Sequence, residues 1–162
     1  MGEPTATSTP PPAEGATLQA VRRLLAVALV LGIVGTATEL LLIGHYEAAT
    51  QYAPLVLLAI GFVLATWHLA APAARVVGAL RFVMWLFIAS GVVGVALHAN
   101  GNSEFEREIY PTLAGSELVW KTVTGATPVL APGSMTLLGL IGLAHTHRHP
   151  AARNVAARSH QE

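Results

Sequence analysis

Apolar residues run along this chain in four long blocks separated by short polar breaks. The blocks cover about residues 21–43, 53–71, 77–99 and 126–144, each near the ~20 residues that cross ~30 Å of hydrocarbon as a helix. Inside lipid every backbone N–H and C=O needs a partner within its own segment, so the blocks predict helices. The fourth carries Pro128, Pro132 and Gly133 in its first half, and regular helix is expected there only from near Pro132. The first break is about nine residues and the second about five, lengths that make consecutive helices antiparallel neighbours.

The third break, residues 100–125, is long. Ser103-Glu104-Phe105-Glu106 has the spacing of a capping box, Pro111 ends that piece, and Ser116-Glu117 opens another. Two short helices on the outer membrane surface are expected. The fold class read from this pattern is all-α: an integral membrane four-helix bundle with two short interfacial helices in the third connection. Residues 1–19 form a disordered cytoplasmic tail, 20–149 the four-transmembrane-helix domain, and 150–162 a second cytoplasmic tail. The pairs Gly32/Thr36, Gly61/Ala65 and Ser90/Gly94 have the four-residue spacing of small residues that lets helices approach closely.

Composition agrees with a membrane chain and narrows the chemistry. Of 162 residues, 53% are hydrophobic and only 11% charged, and the mean hydropathy is +0.56. A soluble domain carries about 25% charged residues. Cysteine is absent, which removes disulfides, thiolate metal sites, Fe–S clusters and thiol nucleophiles together. No Gly-rich phosphate loop, no GxSxG elbow and no basic-aromatic nucleic-acid surface is present, and no catalytic residues are assigned.

Charge sets the expected orientation. Arg22, Arg23, Arg75, Arg81, Arg148, Arg153 and Arg158 flank one side of the blocks, and Arg107 and Lys121 the other. Cationic flanks stay in the cytoplasm, so both termini are predicted inside and the first and third connections outside. The expected location is a bacterial inner membrane, multi-pass, with the lipid bilayer as solvent and a membrane complex or homo-oligomer as its setting.

The candidate chemistry is a few polar residues within apolar blocks. Glu39 lies about one turn before the outer end of the first helix and shares a helical face with Gly32, Gly35, Thr36 and Ile43, a glycine-rich face expected to look inward. Ionisable residues at such positions are functional candidates by default. His98 lies at the same outer level on the third helix and is its expected partner, with His45 ending the first helix and Glu104 in the adjoining loop. Imidazole plus carboxylate suits a divalent transition metal, so His98, Glu39, His45 and Glu104 form the candidate metal set.

Two alternatives stand beside that reading. Each predicted helix carries one histidine near a membrane surface, so His45 with His98 outside and His68 with His145 inside can be drawn as ligands of two b-type haems, in an electron carrier or quinone-linked oxidoreductase. Glu39 can instead serve an ion or proton channel or transporter subunit. His145, His147 and His149 in the run H-T-H-R-H can chelate a metal or join Arg148 as an inner anchor. The leading expectation is a small membrane binding or accessory protein with a polar, metal-binding outer cap.

Overall fold

The computed structural model describes residues 12–151, and these form five α-helices and one 3-10 turn, with no strand among them. Helix α1 covers Pro12–Leu42, α2 Tyr52–Ala70, α3 Ala74–Ile109, α4 Gly115–Thr124 and α5 Gly133–Thr146, with the 3-10 turn at Ala49–Gln51. Three of these, α1, α2 and α3, are long and apolar enough to cross a membrane, while α5 is apolar but shorter. Their outer surfaces suit lipid: Leu24, Leu31, Val56, Val63, Phe82, Val92, Leu137 and Leu140 are all exposed. A soluble monomer rarely shows contiguous apolar surface on that scale.

Inside, α1, α2, α3 and α5 share one core built from Leu29 and Ile33, Leu58 and Ala65, Leu80, Met84 and Phe87, and Met135 and Leu138. Helix α1 packs on α2 and α5, and α3 packs on the same two helices. Glycine makes the closest of these approaches possible. A Cβ on Gly91 would meet the Thr136 backbone nitrogen at 2.7 Å and the Pro132 carbonyl oxygen at 2.9 Å. One on Gly139 would meet the Met84 carbonyl oxygen at 2.6 Å. Helices α3 and α5 thus touch almost backbone to backbone, as small residues allow in lipid.

Each helix end has a local cause. Helix α1 closes in a Schellman turn: Gly44, at φ 69°, donates its N–H to the Leu41 carbonyl at 3.2 Å, and His45 donates to that of Leu40 at 2.9 Å. Gln51 then ties the loop, its Oε1 accepting from the backbone N–H groups of Glu47 (2.8 Å) and Ala48 (2.9 Å). Pro72 follows the end of α2 and Pro111 the end of α3, since the residue before proline is pushed out of helical geometry. Cations close α5: Arg22 donates to the carbonyls of His147 and Arg148 (3.4 and 3.2 Å), and Arg81 donates to that of Thr146.

The structure differs from the sequence reading in two elements. The break expected after Ala99 is absent, and α3 runs on to Ile109, 36 residues in all. At 1.5 Å per residue it is about 54 Å long, about 24 Å more than the ~30 Å that a hydrocarbon layer needs. Gly101 alone is too weak a breaker to stop it, at about 1 kcal/mol relative to alanine. Asn100 also bonds Glu104 one turn on at 2.7 Å, so the apparent capping box lies mid-helix. Only the second short helix exists separately, as α4, which packs on the α3 extension. Helix α1 in turn begins at Pro12, so residues 12–19, expected as tail, are helical; proline is well placed in a first turn. The rest of the expected tails, residues 1–11 and 152–162, lies outside the described residues.

Candidate functional site

At the end of the molecule where α1 stops and α3 projects, two histidines meet. The Schellman turn at Gly44 carries His45 off the α1 helix and back over the helix ends. There its ring centroid lies 6.2 Å from that of His98 on α3, with the planes tilted by 39°. The His98 Nδ1 is buried and has no hydrogen-bond partner. Burial, and next the charge that His98 would carry, hold the His45 imidazole below its usual 6.5. Both effects favour the neutral, metal-competent ring.

His98 belongs to a stripe of α3 that starts with Gly91 and Gly94 and continues to Asn102 and Glu106. Asn102, only 3% exposed, is the anchor of the connection between α3 and α5. Its Nδ2 donates to the carbonyls of Thr122 (2.9 Å) and Thr127 (2.8 Å), and its Oδ1 accepts from the Thr127 backbone N–H (3.2 Å) and hydroxyl (2.6 Å). All of its hydrogen-bonding capacity is used on one loop. Glu106 lies one turn further on, its Oε2 3.7 Å from the Lys121 Nζ, an ion pair too long for a hydrogen bond. Lys121 also sits 4.2 Å over the Tyr110 ring.

The two candidate carboxylates are placed differently from expectation. Glu39 is exposed on the outer surface of α1, and its side chain makes no hydrogen bond or ion pair with a described residue. The inward stripe is Ala26, Leu29 and Ile33, with Leu40 packed against it. Of the two glycines expected to mark an inner face, Gly32 does approach Leu138 but Gly35 faces open space, and Glu39 stands about 120° round the helix from the core residue Ile33. Glu104 is exposed and held by Asn100. On a continuous α3 it stands about 9 Å along the axis from His98 and about 120° round it. His45 and His98 are therefore brought together; Glu39 and Glu104 do not join them.

At the opposite end, His68 of α2, His145 of α5 and His149 beyond α5 gather. Ring centroids are 5.2 Å apart for His68–His145, 4.6 Å for His68–His149 and 6.0 Å for His145–His149. The chain turns back after Thr146, whose carbonyl accepts the His149 N–H at 3.2 Å, with Arg148 at φ 45°. That turn brings His149 inward and leaves His147 exposed. A narrow apolar crevice, too tight to hold a water molecule, lies beside His145 and is lined by Ala26, Leu29, Ala65, Leu69 and Leu80.

These distances bear on ligand class. An imidazole nitrogen sits about 2.0–2.1 Å from its metal, and the ring centroid about 1.1 Å behind it, so two axial ligands of one iron place their centroids about 6.3 Å apart. His45–His98 has that separation; His68–His145, meeting edge to face at 5.2 Å, is too close. The crevice beside His145 is also far too small for a haem, since ligand pockets begin at about 300 Å3. Among the described residues no three His, Asp or Glu side chains have their donor atoms gathered for an ion as they stand.

From the sequence, His149 stands only as a chelator or anchor in the H-T-H-R-H run, and Asn102 and Glu106 only as loop oxygen donors near His98; that Asn102 holds the connection to α5 was not foreseen. Asn102 was legible in principle, one turn beyond His98 on a continuing helix, and was hidden by the break assumed after Ala99. Set against protein families, curated proteins and solved structures, the chain matches none.

Proposed function

We propose that the chain is a small integral membrane binding protein whose outer end takes a divalent transition-metal ion on His45 and His98. In this reading four helices cross the bilayer, with both termini on the cytoplasmic side of a bacterial-type inner membrane. Helix α5 is lengthened on its outer side by the turns at Pro128–Gly133, where Ala131 N–H bonds the Pro128 carbonyl (3.1 Å) and Gly133 N–H that of Leu130 (2.9 Å). The observation that carries the reading is the imidazole pair, 6.2 Å apart, with a buried and unpartnered Nδ1 on His98. Unpartnered buried nitrogen is costly, and a metal ion is the partner best suited to it. Positions not filled by imidazole are open to water or to a carboxylate supplied by a ligand or a partner subunit.

Haem remains the second reading at this pair alone, because its separation fits two axial ligands. An absorption spectrum distinguishes the two: a Soret band on the purified protein selects haem, and bound zinc, copper or nickel without one selects the simple ion.

Two expected results test the proposal. Reporter fusions should read residue 112 as external and residue 73 as cytoplasmic, because seven of the nine Lys and Arg flank the inner side; the opposite reading at either position overturns the orientation. Metal content should fall in His98→Ala with the helices still assembled. It should also fall with pH, and only below 6.5, since His45 resists protonation. The sign is that of a lowered folded-state value: stability from the neutral ring is present above 6.5 and is lost as pH drops through that lowered value. Equal metal content in wild type and His98→Ala removes the outer site.

A further inference from the structure

The inner histidines hold a second arrangement that the outer site does not explain. His68 is 3% and His145 5% exposed, in a protein whose other buried side chains are almost all apolar. The His145 Nδ1 lies 3.1 Å from the Arg22 carbonyl oxygen. A carbonyl only accepts, so Nδ1 carries the proton and Nε2 presents its lone pair. This is how backbone carbonyls orient metal-binding histidines. The His68 Nδ1 is buried with no partner at all. His149, half-buried beyond the last helix, closes the group, with its Nδ1 accepting only a long 3.3 Å bond from Ala151.

The spacing of the three rings is the telling quantity. With nitrogen about 2.0–2.1 Å from an ion and the centroid about 1.1 Å further, two ligands at a tetrahedral angle place their centroids about 5.2 Å apart. The three observed separations, 4.6, 5.2 and 6.0 Å, straddle that value. The rings meet edge to face, so their nitrogens do not yet converge. Convergence requires rotation about χ2, a soft torsion in histidine. The centroid lies close to the Cβ–Cγ axis, so turning a ring re-aims its nitrogens and leaves the separations nearly unchanged.

We propose that His68, His145 and His149 form a second transition-metal site, three imidazoles with a fourth position open to water, at the inner end. Imidazole without thiolate or carboxylate suits zinc or copper(II) rather than calcium or magnesium. Arg22 and Arg81 are the nearby cations. Their guanidinium groups are turned on the carbonyls that end α5, whose negative dipole end offsets part of their charge.

The test uses the full chain, untagged, in detergent, with zinc as the probe and cobalt(II) as its coloured substitute. Equilibrium dialysis against zinc at pH 7 should give two equivalents in wild type. One should remain in the double variant His68→Ala, His149→Ala, and one in His45→Ala, His98→Ala. Cobalt should give the visible absorption of a four-coordinate ion, lost in the first double variant and kept in the second. Should His68→Ala disturb folding, His149→Ala alone decides, because that residue follows the last helix. It should lower inner-site zinc affinity at least tenfold. Wild-type zinc content and affinity in His149→Ala, or cobalt colour unchanged in the first double variant, overturns the inner site. Failure of the outer site would show instead as zinc unchanged in His45→Ala, His98→Ala, so the two ideas fail separately.

Discussion

Replacing Gly91 by valine should detach α5 from α3 and cost about 3 kcal/mol or more of stability in detergent. A Cβ there runs into the backbone of α5, at Thr136 nitrogen and Pro132 oxygen, and backbone has no rotamer with which to retreat. Relief requires the helices to move apart, which also opens the contacts of Gly94 with Pro132 and Gly139 with Ile88. In lipid this seam depends on close van der Waals packing, since the surrounding chains are as apolar as the core. Gly35→Val is the control, because a Cβ at Gly35 meets nothing within 4 Å. Gly142→Ala should fall between the two, as the obstacle there is the flexible end of Met84. Thermal unfolding followed by circular dichroism ranks the three. A midpoint for Gly91→Val equal to that of Gly35→Val would refute the packing described for α3 and α5.

The second large effect is expected at Asn102. Alanine there removes four hydrogen bonds and strands the Thr122 carbonyl and the Thr127 backbone groups. Each buried group left unpaired costs about 1–3 kcal/mol, and the exposed Thr127 recovers part of this from water, so about 3 kcal/mol is expected. Aspartate should not rescue it, because its second oxygen would face the two carbonyls that Nδ2 now serves. The loss is local: residues 122–127 should come free of α3 while the shared core persists. Proteolysis at that segment should accelerate on the order of 100-fold, since 1.4 kcal/mol is tenfold in the open population. Cleavage of Asn102→Ala at the wild-type rate would show that the connection is held by something other than this side chain.

The two sites respond to these changes differently. His98 lies one turn before Asn102 on the same stripe, so loosening the α3–α5 connection should expose the His45–His98 pair and leave the rings of His68, His145 and His149 untouched. Gly91 lies between the ends, and its effect reaches both through α5, which carries His145 and leads into His149.

Much of the architecture follows from the chain read by itself. Lipid forbids unpaired backbone, so apolar blocks of adequate length have to be helices, and residues such as Leu29, Phe87 and Leu138 fall within them without knowledge of their partners. Pro72, Pro111 and Pro132 mark ends because proline acts on its own neighbours, whatever the fold around it. Even the pairing of His45 with His98 and of His68 with His145 could be drawn from depth alone, since membrane helices share one axis and one ruler.

What depth does not give is rotation about that axis, and rotation is where the tertiary structure decided. Glu39 shares a face with two glycines, yet only Gly32 meets a neighbour, and the core direction on α1 is that of Ile33, about 120° round the helix from Glu39. Glu104 moved away from His98 because α3 did not end, and α3 did not end because Asn102 and α4 hold its extension from the side. His149 entered the inner cluster through a reversal at Arg148 that no local signal announces, stabilised by Arg22 and Arg81 from helices distant in sequence. Periodicity and breakers are short-range properties carried by neighbouring residues; which side of a helix is inside depends on the other helices.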